Sequence, residues 1–130
     1  MAQIHQGDAL PFIKVPRIQT RVVAGEQTGT EEMTVWEQWM EPGGFIPIHY
    51  HDSEEVLFIV EGTVRLELAD SFLECVAPAS ITVSAYELHG LSPTGNTRVH
   101  LFGIFPTSTP RIFDPEGHPR PLPMQDTQEQ

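Results

Sequence analysis

The stretch Pro42-Gly43-Gly44-Phe45-Ile46-Pro47-Ile48-His49-Tyr50-His51-Asp52-Ser53-Glu54-Glu55 carries the densest chemistry in the chain. Its apolar, β-branched lead-in predicts a strand over 45–50. Successive side chains on a strand alternate faces, so the imidazoles of His49 and His51 share one face and Tyr50 takes the other. Glu55 opens the next predicted strand, and a tight turn between the two can return its carboxylate to the rings. Two imidazoles and a carboxylate are a donor set suited to a first-row divalent ion.

Working outward, further short segments read as strands: 18–24, 32–40, 55–61, 63–69, 72–76, 80–84 and 97–105. β-Branched and aromatic residues fill them, and Gly, Pro, Asp or Ser separate them. Glu61-Gly62 and Asp70-Ser71 have the composition of hairpin turns. No helical stripe runs ten or more residues and there is no internal repeat. About eight strands in under a hundred residues predict an all-β sandwich, barrel or jelly roll. In 63–69, Val64, Leu66 and Leu68 share a face opposite Arg65 and Glu67, the pattern of a half-buried strand. In 55–61 both faces are apolar, Leu57 and Ile59 on one and Val56, Phe58 and Val60 on the other. That strand is expected to be covered on both sides, at the centre of a closed fold or beneath a partner.

The central stretch resembles the first motif of the cupins. That motif has Gly, five residues, His-x-His, three or four residues, Glu, six residues, Gly; here Gly43, His49, His51, Glu55 and Gly62 fill every position. The second cupin motif is Gly, five residues, Pro, one residue, Gly, two residues, His, three residues, Asn. It falls on Pro78, Ser84, Tyr86, His89 and Pro93, so its histidine is kept and the other positions differ. The resemblance covers roughly residues 30–105 and implies a double-stranded β-helix, or jelly-roll barrel. It also implies that His49, His51, Glu55 and His89 bind one divalent metal ion. Four protein ligands on an octahedral ion leave two positions open for water, substrate or dioxygen.

Parity suggests what surrounds such an ion. The face of 32–40 bearing Trp36, Gln38 and Met40 lacks formal charge, which points Trp36 and Gln38 inward. In the last strand Val99, Leu101, Gly103 and Phe105 share an apolar face, with Gly103 leaving space and Arg98 and His100 outward. Trp36, Gln38, Leu57, Leu101 and Phe105 are therefore expected to line the cavity. Glu54 is read as solvated and Cys75 as a buried, inert thiol. No general base stands out; Tyr86, Glu87 and His100 are the nearest candidates. No Arg or Lys is placed inside, which suits a small neutral molecule, or one that chelates the ion through oxygen, over a strongly anionic one.

The remaining features bound the function class. Residues 1–17 read as an N-terminal arm, 18–105 as the barrel and 106–130 as a Pro-rich tail that wraps the surface or lacks order. The net charge of −11, with Lys14 the single lysine, excludes a nucleic-acid footprint and disfavours anionic membranes. A lone cysteine excludes an internal disulfide, and the N-terminus lacks the basic-then-apolar run of a signal peptide, so a cytoplasmic location is expected. A homodimer would cover the doubly apolar strand, and the arm could add a strand to a neighbour's sheet. The resemblance implies an enzyme acting on a small organic molecule held at the ion. With Fe it would perform dioxygenase or oxidative cleavage chemistry; with Mn, Ni or Zn, isomerase, lyase or cyclase chemistry. The alternative is a non-catalytic binding or sensing module.

Overall fold

The computed structural model describes residues 1–122; Pro123 and the polar end of the tail lie outside the described residues. Its strands are β1 (Ile13–Val15), β2 (Ile18–Ala24), β3 (Thr34–Met40), β4 (Ile46–His49), β5 (Glu55–Glu61), β6 (Thr63–Glu67), β7 (Phe72–Val76), β8 (Ala79–Val83), β9 (His89–Pro93), β10 (Val99–Phe105), β11 (Ile112–Phe113) and β12 (Pro119–Arg120). Two antiparallel sheets, ordered β1-β2-β3-β10-β5-β8 and β4-β9-β6-β7, face each other as a jelly roll. Met40, Leu57, Ile59, Val64, Leu66, Val83, Leu91, Val99 and Leu101 fill the core between them. No helix among the described residues is long and apolar enough to cross a membrane.

Alternation accounts for these strands. In β10 the inward residues Val99, Leu101, Gly103 and Phe105 are buried, while His100, Phe102 and Ile104 are only partly so. In β6, Val64 and Leu66 are buried and Arg65 pairs with Glu67 on the outside at 2.7 Å. The outer face of β3 is more heavily built than its parity suggests. Glu37 is 7% exposed and accepts hydrogen bonds from Arg21 Nε at 2.7 Å and His100 Nε2 at 2.6 Å. The His100 ring lies flat on Trp39 at 3.8 Å, and the Arg98 guanidinium packs over the same indole. His100 thus belongs to an outer network and cannot serve as a base inside the barrel.

Several expectations change. Glu61-Gly62 is not a hairpin turn, because β5 pairs with β8 and β10 whereas β6 pairs with β7 and β9. Gly62 carries the chain from one sheet to the other at φ +97, packed against the Arg98 carbonyl, where a side chain has no room. Asp70-Ser71 does turn the β6–β7 hairpin, with Leu68 N–H bonded to Ser71 O at 2.8 Å. Within the chain, strand β5 is covered on one face only, with Phe58 41% and Val60 39% exposed on the other, so of the two expected sources of cover only a partner remains for that face. Cys75 packs against the core but is only half-buried, because β7 is an edge strand; that partial burial still pushes its thiol pKa up. Four strands, β1, β9, β11 and β12, fall where the sequence reading places none. β1 pairs with β2 of its own sheet, and the tail forms the β11–β12 hairpin, tied to the barrel by a Tyr50–Phe113 bridge.

Candidate metal centre

The pairing of β4 with β9 sets His49 directly opposite His89. Strand β4 ends there, and His51 lies just past it, turned inward. Glu55, the first residue of β5, reaches in from the facing sheet. One ring nitrogen from each of His49, His51 and His89 lies within 4.8 Å of the others. Glu55 Oε1 sits 3.2 Å from His51 Nε2 and 3.2 Å from His89 Nε2, and the Nε2 atoms of His49 and His51 are 3.2 Å apart. The three histidines thus share one centre, and Glu55 borders it through His51 and His89. Glu54, their neighbour, is exposed.

The other nitrogen of each ring fixes its orientation. His49 Nδ1 donates to Pro47 O at 2.7 Å, His51 Nδ1 to Arg111 O at 2.8 Å and His89 Nδ1 to Glu87 O at 2.8 Å. A carbonyl only accepts, so Nδ1 carries a proton in all three, and Nε2 of each ring is the atom turned to the centre, where its lone pair can take either a second proton or a metal ion. Three lone pairs and a carboxylate oxygen at these separations repel one another unless a positive charge lies between them. A proton on His49 is a poor choice. Loss of hydration on burial, followed by repulsion from His89, lowers its pKa to about 4. Burial alone would raise the Glu55 carboxyl, but hydrogen bonds and charge from His51 and His89, when they carry a second proton on Nε2, outweigh that and hold it below the usual range; a cation at the centre would take the place of those protons. The donor chemistry and the backbone-braced rings fit a divalent first-row cation.

Local backbone explains the placement. Tyr86 adopts φ +68 at the position where the second motif has glycine, so the turn survives the substitution. Its N–H donates to His51 O at 2.7 Å, and Glu87 Oε1 accepts the Ser84 N–H at 3.0 Å. That turn aims the Glu87 carbonyl at His89; Tyr86 and Glu87 thus shape the turn, and neither lines the cavity. Gly103 leaves space as expected, but the occupant is Glu55: a Cβ there would sit 2.9 Å from Glu55 Oε2.

A cavity of about 440 Å³ opens from the cluster, within the range of small-molecule sites. Trp36, Gln38 and Leu57 line it, and Gln38 Nε2 donates to Thr20 Oγ1 at 3.0 Å in its wall. Leu101 and Phe105 do not line it. Leu101 is fully buried in the core below, and Phe105 is wedged edge-on between Trp36 at 4.7 Å and His51 at 4.9 Å. Trp36 Nε1 is buried without a hydrogen-bond partner among the described residues. The tail contributes Ile112, Asp114, Pro115, Arg120 and Pro121 to the rim, which the sequence reading missed. The expectation of a cavity without a cation is corrected by Arg120. A second group, Asp114, Glu116 and His118, also brings donor atoms within 4.8 Å, but Asp114 Oδ1 already accepts the N–H groups of Glu116 and His118 in its own turn.

Comparison with known proteins agrees with this architecture. Residues 36–105 match the family described as the cupin domain. Auxin-binding protein 1 of Arabidopsis thaliana is 27% identical over 108 residues, covering 75% of this chain and 54% of that protein. The chain thus spans about half the length of this curated relative. Among solved structures, the polyketide cyclase RemF from Streptomyces resistomycificus superposes with a TM-score of 0.74 at 21% identity, covering 98% of this chain and 93% of that one. An oxalate decarboxylase from Lactobacillus farciminis gives 0.75 at 14% identity, covering 83% of this chain and 34% of its own.

Proposed function

Because the chain belongs to the cupin family, we propose that it is a metal-dependent enzyme acting on a small organic molecule bound beside one divalent ion. The ion would be held by His49, His51, Glu55 and His89. Fe, Mn, Ni and Zn all suit this donor set, since imidazole and carboxylate do not by themselves select among them. The observation that carries the reading is the bracing of three Nδ1–H groups on backbone carbonyls, which turns three Nε2 lone pairs and Glu55 Oε1 to one centre. A bound ion supplies Lewis acidity toward a substrate oxygen, or with Fe a site for dioxygen.

The chain's own residues bind and orient. Aliphatic walls from Ile18, Ile46, Leu57 and Leu91 exclude water around the reacting end of the substrate. Gln38 and Thr20 offer a polar patch in an otherwise apolar wall. The reaction types we infer are dioxygenase or oxidative cleavage, or isomerase, lyase or cyclase chemistry; the structures of similar fold include a polyketide cyclase and an oxalate decarboxylase. A binding or sensing role is the alternative, consistent with a relative named for auxin binding. The test is turnover of a panel of diketones, phenols, enols and organic acids by protein carrying its native metal. Product formation or oxygen uptake that stops on chelation and returns with metal supports the enzyme. Saturable binding without turnover supports the sensor.

A further inference from the structure

We propose that the β11–β12 hairpin is a recognition element for organic acids and that Arg120 binds the carboxylate of a ligand whose other end reaches the ion. This inference rests on the metal reading above and deepens it by naming the ligand class.

Arg120 lines the cavity and has no hydrogen-bond, ion-pair or ring partner among the described residues. Every other arginine is engaged. Arg17 bonds Pro42 O, Arg21 and Arg65 pair with Glu37 and Glu67, Arg98 covers Trp39, and Arg111 pairs with Asp52. The chain has 18 acidic side chains for 7 basic ones, so an unpaired guanidinium is the exception. The carboxylate that shares its rim, Asp114, is committed to its own turn through Glu116 and His118. Arg120 is therefore held at the mouth of an apolar cavity with its donors unspent.

Its position is fixed relative to the metal ligands. Arg120 pairs with Ile112 across the hairpin. The adjoining Arg111 carbonyl braces His51, and Phe113 exchanges two 2.9 Å hydrogen bonds with Tyr50. The hairpin thus links the rim cation to the loop bearing His49 and His51. The cavity that both border is lined by aliphatic side chains from Ile13, Val15, Ile18, Ile46 and Ile48. The matching ligand has a metal-binding oxygen at one end, an apolar middle and a carboxylate at the other. A guanidinium takes a carboxylate through two parallel N–H donors, so even at this exposed rim the geometry of the pair is specific.

The test compares acids with their esters. Glutarate, adipate, suberate, sebacate and terephthalate are each titrated beside the monomethyl ester, into metal-loaded protein of measured metal content. Trp36 in the cavity wall provides a fluorescence signal. At least one diacid should bind about tenfold or more tighter than its ester. Arg120→Gln should bring that ratio close to one while leaving ester affinity and metal content unchanged, and Arg120→Lys should retain part of it. A preference that survives Arg120→Gln, or no preference in any pair with metal present, overturns this inference alone. A chain that takes up no metal overturns the underlying reading as well.

Discussion

Gly103→Ala is the substitution whose effect is worked most directly from the structure. The added Cβ would lie 2.9 Å from Glu55 Oε2, 3.8 Å from Leu57 Cδ2 and 3.9 Å from Phe105 Cε2. The last two are ordinary contacts, so the clash falls on the carboxylate. Glu55 is 5% exposed and held by two histidines, so it cannot swing into solvent. Relieving the contact moves it by roughly half an ångström, while metal–ligand distances tolerate about 0.2 Å. The expected cost is about 10- to 100-fold in metal affinity, the range seen when groups supporting a ligand are disturbed. The metal-free protein should lose at most about 1–3 kcal/mol from the overpacking. Competition with a fluorescent chelator measures the first quantity and urea unfolding of stripped protein the second. If the effect passes through the carboxylate, Gly103→Ala costs almost nothing further in a Glu55→Ala background. Unchanged metal affinity, or fully additive losses in that cycle, would refute the reasoning.

Further outcomes follow from the same structure. In metal-free protein, His49 titrates at about 4 instead of 6.5 because burial disfavours its charged form, so the unfolded chain binds the extra proton. Its favourable term is complete above pH 6.5 and is lost as pH falls to about 4, a swing of about 3 kcal/mol, which His49→Gln should flatten in urea melts across that window. Glu37→Gln leaves Arg21 and His100 without their charged partner and should cost about 2–3 kcal/mol in urea unfolding, with metal affinity unchanged because that network lies outside the barrel. The exposed Phe58 and Val60 are expected to be covered in a homodimer, so light scattering should return twice the chain mass of 14.6 kDa, and Phe58→Glu should return the single mass.

Much of this was legible in the sequence, for physical reasons. Runs of β-branched and aromatic residues match β2, β5 and β7 to the residue, because Gly, Pro, Asp or Ser punctuates their ends. The ligand spacing places His49, His51 and Glu55 because a strand and one tight turn fix their geometry locally. His89 was identified, but not the strand it begins: His89-Gly90-Leu91-Ser92-Pro93 has little β-character and is held by pairing with β4 and β6. Non-local pairing also hid the rest. Glu61-Gly62 looks like a hairpin locally, yet its flanking strands belong to different sheets. The proline-rich tail gives no strand signal, and only the Tyr50–Phe113 bridge reveals that it carries Arg120 to the cavity. The partial burial of Cys75 depends on where the sheet ends, which alternation does not encode.

The central claim is tested most directly by crystals of protein purified without added metal, with anomalous diffraction collected at the absorption edges of Fe, Mn, Ni and Zn. The account predicts one peak per chain, about 2.0–2.2 Å from the Nε2 atoms of His49, His51 and His89 and from Glu55 Oε1. No peak there after metal soaking, or a peak at Asp114, Glu116 and His118 instead, would contradict it.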